Sequence, residues 1–137
     1  MKIKICSNCG KKLNARQLKY CSNKCQWKSQ YYKYVKGWKS GNEDGNIGIN
    51  ARNISKHLKR YLLEKYKECC SKCGWNKRNP KSGNVPLEVD HIDGDSENNF
   101  EKNLRLLCPN CHALTPNFKN LNKGKGRKWR VKKYIKN

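Results

Sequence analysis

Eight of the nine cysteines in this 137-residue chain fall into four close pairs: Cys6/Cys9, Cys21/Cys25, Cys70/Cys73 and Cys108/Cys111. Small chains bury a modest share of their surface, and only 35% of these residues are hydrophobic, so a large apolar core is not expected. The cysteines must then supply much of the cohesion, as disulfides or as metal ligands. Cysteines three apart seldom need a disulfide to stay close, and nine is an awkward number for full pairing. Met1-Lys-Ile-Lys-Ile-Cys6 is also too short and too interrupted for the apolar core of a secretory leader. Two tetrahedral four-cysteine zinc sites, with Cys69 left over, account for the count. A reduced, cytoplasmic setting is expected.

Formal net charge is +22, from 32 Lys+Arg against 10 Asp+Glu. No acid precedes Glu43 and none follows Glu101, while six of the ten (Glu88, Asp90, Asp93, Asp95, Glu97, Glu101) share one 14-residue window around His91. Both ends are purely basic, and negative charge is concentrated in one place. A basic surface of this size with interleaved Tyr and Trp favours a nucleic acid over a membrane. No apolar run approaches the ~20 residues that span a bilayer.

Residues 1–36 read as a four-cysteine zinc module followed by a helix from Cys21–Cys25 to about Val35, capped by Ser22 or Asn23. Trp27, Tyr31 and Tyr34 share a face of that helix and are expected to pack on the module. Residues 37–53 carry four glycines and few apolar side chains, and read as a linker or an ordered surface loop. From Ile54 a helical period returns, with Leu58, Tyr61, Leu62 and Tyr66 on one side; His57 sits among lysines and reads as a surface residue. A second knuckle, Cys70 to Gly74, leads to strands expected over 85–92 and 103–107. Pro109 suits the first turn of a helix, which Pro116 ends near Thr115. That makes 54–120 one unit and 121–137 a basic tail. The fold class expected is small, α+β and zinc-stabilised.

The chemistry lies in Glu88-Val-Asp90-His91-Ile-Asp93-Gly-Asp95, Asn103 and Cys108-Pro-Asn-Cys111-His112. Hydrolysis of a phosphodiester needs a base for water, neutralisation of the charge gathered at phosphorus, and help for the departing oxygen. A neutral imidazole meets the first need near neutral pH. A hard divalent cation on a carboxylate meets the others. Asp90 beside His91 at a strand end offers both.

With Asn103, His112 and the four cysteines, this pattern resembles the HNH endonucleases, especially small phage and mobile-element members. The resemblance covers residues 54–126. It implies a ββα-metal, treble-clef-like domain preceded by a zinc-ribbon-like module. It further implies His91 as general base, Asn103 as the residue that keeps His91 oriented, and Asp90 and His112 as ligands of Mg2+ or Mn2+, with Ni2+ tolerated. Cys70, Cys73, Cys108 and Cys111 would hold one structural zinc, and Cys6, Cys9, Cys21 and Cys25 a second. Double-stranded DNA is the partner implied, with no membrane and no small-molecule cofactor.

Plainer roles stand beside these. Asp90 and His91 also suit a hydrogen-bonded strand end, and His112 also suits zinc in place of a cysteine. Asp93, Asp95 and Glu97 read as loop carboxylates, and Glu88 shares the strand face of Asp90. Arg105 should point outward and clamp a phosphate, together with Lys125, Arg127, Lys128 and Arg130 of the tail. A zinc-finger DNA-binding protein without catalysis is the alternative to a nuclease. Removing residues 121–137 should weaken DNA binding by an amount that grows as salt falls. Fluorescence anisotropy across a salt series checks this, and equal affinity at every salt would exclude an electrostatic tail.

Overall fold

The computed structural model of the chain describes residues 3–47 and 51–122. The tail candidates Lys125, Arg127, Lys128 and Arg130 lie outside them. The chain divides into two compact units, Met1–Glu43 and Asp44–Asn137.

In the first unit an antiparallel bridge, Ile5 with Lys12, closes the turn that carries Cys6 and Cys9. The Cys6 N–H donates to Lys11 O at 2.8 Å, and the Gly10 N–H returns to Cys6 O at 2.9 Å. Helix α1 spans Asn23–Lys39. Ser22 caps it, its hydroxyl oxygen accepting from the Cys25 N–H at 3.2 Å. The helix outruns its expected end near Val35 because Lys36 and Lys39 suit the negative end of the helix dipole. It stops where Gly41, at φ +80°, supplies the left-handed turn that closes many helices. Tyr31 and Trp38 are buried, and Tyr34 is half-buried. Trp27, expected on that packed face, is 65% exposed. The buried stripe instead continues forward from Tyr31 to Trp38, two helical turns on, rather than back to Trp27.

In the second unit, strand β1 (Asn46–Ile47) pairs antiparallel with β2 (Ala51–Ile54). Residues 37–53, expected as a linker or an ordered surface loop, therefore include the end of α1 and most of this small sheet. The segment is so polar because its contacts are hydrogen bonds: the Asn46 N–H, for instance, donates to Asp44 Oδ1 at 2.8 Å. Helix α2 (Lys56–Lys65) follows, its N-cap Ser55 accepting from the Leu58 N–H at 3.1 Å. Its inner face carries Leu58 and Leu62, neither of which reaches solvent.

The second sheet positions the site. Strand β3 (Glu88–His91) pairs antiparallel with β4 (Leu104–Leu107), with Asp90 opposite Arg105 and His91 opposite Leu104. Leu104, Leu106 and Leu107 are buried with Val85 and Leu87, and α2 packs on β4. Tyr61 Oη (2.6 Å) and Lys65 Nζ (2.8 Å) of α2 both donate to the Glu101 carboxylate just before β4. That hydrogen bond to Glu101 raises the Lys65 pKa. Ser71, in the second cysteine knuckle, donates its N–H and its hydroxyl to Leu106 O, both at 2.8 Å. Helix α3 (Pro109–Ala113) is capped by Cys108, whose sulfur accepts from the Cys111 N–H at 3.4 Å. It packs on both strands. Thr115 closes it, donating its N–H (3.1 Å) and hydroxyl (2.9 Å) to His112 O. No helix among the described residues is long and apolar enough to cross a membrane.

Leu106 is fully buried and sits where β4, the knuckle and α2 meet. Leu106→Ala should cost about 2–5 kcal/mol of stability, read from urea unfolding. A cost under about 0.5 kcal/mol, the range of ordinary surface substitutions, would show that this core does not hold the sheet.

Candidate metal and catalytic centre

The four sulfurs of Cys70, Cys73, Cys108 and Cys111 all lie within 4.8 Å of one another, and so do those of Cys6, Cys9, Cys21 and Cys25. Contacts within the groups run from 3.5 Å (Cys21–Cys25) and 3.6 Å (Cys9–Cys21) to 3.8 Å (Cys73–Cys108). A tetrahedral zinc with bonds of about 2.3 Å sets its sulfurs roughly 3.8 Å apart, so both groups have the size and donor chemistry for that ion.

Their electrostatics agree. Burial pushes the Cys70 thiol up, but backbone N–H donors from Cys108, Cys73 and Lys72 outweigh it and hold the pKa at about 6. Cys6 is likewise held at about 6, where burial is opposed by N–H groups of Asn8, Cys21 and Cys9. One thiol in each group is shifted the other way. Contact with Cys25 and then Cys9 pushes Cys21 up to about 12. Contact with Cys73, then burial, does the same for Cys111. Four thiolates this close repel one another, and a bound dication removes the repulsion.

The polar centre stands where β3 meets α3. Asp90 is buried, with one carboxylate oxygen, Oδ2, accepting from Arg105 Nε at 2.7 Å. The other, Oδ1, faces His112 Nε2 at 3.8 Å. That is too long for a hydrogen bond. It is shorter than the roughly 4.2 Å spanned by two cation–ligand bonds of about 2.1 Å, so one small cation fits between the two atoms. On its far side His112 Nδ1 contacts the Glu88 carboxylate. A carboxylate only accepts, so Nδ1 carries a proton, and in the neutral ring Nε2 keeps its lone pair toward Asp90. The ring of Phe118 meets His112 edge-on at 5.3 Å.

Arg105 corrects an expectation. It pairs through Nε with Asp90 rather than standing free, because the register sets it opposite that residue on the same sheet face, and its charge neutralises that carboxylate. Asn103 is buried and serves the loop after β3. Its side-chain oxygen accepts from the Asp93 N–H at 3.1 Å, and its amide donates to Asp93 Oδ1 (2.9 Å) and Asn98 O (2.8 Å). Desolvation works against the Asp93 charge, but the Asp95 N–H and the Asn103 and Asn98 amides outweigh it and lower the pKa. The Ile92 N–H donates to Asn103 O at 2.9 Å, so Asn103 shapes the backbone next to His91. The side-chain partner of His91 is a different residue. His91 Nε2 lies 2.8 Å from Asn99 Oδ1, and Asn99 is buried.

Asn99 was not anticipated. The only signal was a pair of asparagines at 98–99 in a segment otherwise read as loop. Glu88 was seen as sharing the face of Asp90, but its partner, His112, is fixed only by the docking of α3.

Residues 70–116 match the family model for the HNH endonuclease. They form an HNH endonuclease domain. The H-N-H endonuclease F-TflIV of Escherichia phage T5 is 48% identical over 56 residues, which are 41% of this chain and 24% of that protein. The chain thus spans about a quarter of that relative's length. No solved structure matches. The matched HNH segment takes in Cys70–Cys73, both strands of the second sheet and α3, hence every residue of the Asp90–His112 centre.

Elemental analysis of protein purified without chelator should find two zinc ions per chain, one for each four-cysteine group. Cys111→Ser should lower this to one and melt the HNH unit, because a structural zinc contributes on the order of 10 kcal/mol to folding. A wild-type content of one would remove a site.

Proposed function

We propose that the chain is a metal-dependent endonuclease that hydrolyses phosphodiester bonds of double-stranded DNA, with His91 as general base. The observation that carries the reading is the facing of Asp90 Oδ1 and His112 Nε2 across 3.8 Å, beside an imidazole on the adjacent strand residue. On this reading β3, β4 and α3 are the ββα-metal element of a treble-clef-like HNH domain. Cys70, Cys73, Cys108 and Cys111 hold a structural zinc, and residues 1–36 are a zinc-ribbon-like module with a second.

Asp90 and His112 would hold the catalytic cation, Mg2+ or Mn2+, with Ni2+ tolerated because one ligand is an imidazole. When bound, that ion neutralises charge on the phosphate and stabilises the departing 3′ oxygen. The chain's own groups do the rest. His91 accepts the proton of the attacking water. Arg105 holds Asp90 by one oxygen and leaves the other directed at His112, and Glu88 holds His112 in the tautomer able to ligate. Asn103 maintains the turn after His91. Products would carry 5′-phosphate and 3′-hydroxyl ends. Affinity for DNA is supplied by the excess of Lys and Arg, hence a steep dependence on salt. A chain carrying +22 needs no sequence-specific contact to find a polyanion.

Purified protein should nick supercoiled plasmid with Mg2+ or Mn2+ and not with EDTA. His91→Ala should lower the nicking rate by about 10²–10⁴-fold, the usual range of a positioned base. DNA affinity and zinc content should stay as in the wild type. Unchanged turnover in that variant would remove His91 from the mechanism. DNA binding without any metal-dependent nicking would leave a zinc-finger binding protein.

A further inference from the structure

The structure determines more about His91 than its place on β3, because the hydrogen bonds around Asn99 admit one arrangement of protons. The Asn99 side-chain nitrogen lies 2.9 Å from the backbone oxygen of Asp44 and 3.1 Å from Asn46 Oδ1. A backbone carbonyl is an obligate acceptor, so the Asn99 atom facing it must be the NH2 group. Asn46 agrees: its own NH2 donates to Asp44 Oδ2 at 3.1 Å, which leaves its oxygen for Asn99. The Asn99 amide is therefore not free to flip, and its oxygen faces His91. An amide oxygen only accepts. His91 Nε2, 2.8 Å away, must carry the proton, and in the neutral ring Nδ1 holds the lone pair.

The support beneath Asn99 is built for close approach. A Cβ on Gly45 would stand 2.8 Å from Asn99 Cβ and 2.9 Å from Leu58 Cδ2, and Gly45 has φ +81°. Space and backbone conformation both demand glycine there. Asp44, Gly45 and Asn46 lie outside residues 70–116, the segment matched by the family model. The small β1–β2 sheet is thus tied into the HNH centre through one buried amide.

We propose that Asn99, anchored on Asp44 and Asn46, is the positioning residue that holds His91 as the Nε2–H tautomer and presents Nδ1 as the proton-accepting atom. The proposal rests on the nuclease reading for the purpose of that tautomer, not for its existence. Asn99 acts through His91 by selecting which nitrogen is basic and by fixing the plane of the ring.

The test uses the full zinc-loaded chain without catalytic cation, at mildly alkaline pH where an ordinary imidazole is neutral. Long-range nitrogen–proton NMR correlations distinguish the two tautomers, and with three histidines in the chain the His91 signals are assigned by their loss in His91→Ala. Wild-type His91 should show the Nε2–H pattern. Asn99→Ala should shift it toward a mixture of tautomers and lower plasmid-nicking kcat by roughly 10- to 100-fold, as loss of an orienting partner does, with KM for DNA unchanged.

An Nδ1–H pattern in the wild type overturns the proposal, whether or not the variant folds. So does an Asn99→Ala protein that keeps both the Nε2–H pattern and wild-type turnover. A wild type that never nicks DNA, yet holds Nε2–H and loses it in Asn99→Ala, upholds the assignment and refutes the nuclease reading alone.

Discussion

Four sulfurs that repel one another unless a cation lies between them set the terms for the HNH unit. Cys70 and Cys73 come from the turn after α2, and Cys108 and Cys111 from the start of α3, so one ion held there would join segments 35 residues apart. The apolar core around Leu58, Leu62 and the leucines of β4 is small. A structural metal worth on the order of 10 kcal/mol is comparable to the whole stability of a domain this size. What the thiolates fix is the start of α3 against β4, and His112 is the residue after Cys111. The clamp that stabilises the fold therefore also aims the histidine.

The charges of the centre are arranged by pairing rather than by exposure. Asp90 would be costly to bury alone. Arg105, directly across the sheet, neutralises it through one oxygen and leaves the other facing His112. Glu88 does the complementary task on His112 by accepting the hydrogen bond of Nδ1–H. Asn99 does it for His91 by presenting only an acceptor to Nε2. In each case a neighbour decides which atom of a bifunctional group is available. A local carboxylate-and-imidazole sequence becomes a set of directed lone pairs.

Much of this was legible along the chain. The four cysteine pairs announced two four-cysteine groups of a size to hold a metal, because ligand spacing is a local property of the sequence. Ser22, one of two cap candidates, marked the start of α1 by the chemistry of capping, and Pro109 marked that of α3. Asp90, His91, Asn103 and His112 stood out as candidates because their residue types and spacing resemble a known pattern. Other features were illegible for physical reasons. Trp27 shares a face with Tyr31 by helical period, but period says nothing of how far the covering structure extends. Residues 37–53 read as a linker or surface loop because few of them are apolar, and polar contacts such as that of the Asn46 N–H with Asp44 Oδ1 leave no hydrophobic pattern.

Residue chemistry and short-range spacing by themselves determined the donors: eight thiols in two sets, a carboxylate beside an imidazole, a second imidazole after a cysteine, and an excess of positive charge. Tertiary structure decided the partners. Strand register set Arg105 on Asp90 instead of on solvent, the docking of α3 brought Glu88 to His112, and the contact of residues 44–46 with Asn99 selected the proton position on His91. Ligand types are properties of single side chains, whereas a hydrogen-bond partner is a matter of a few tenths of an ångström between segments far apart in the chain.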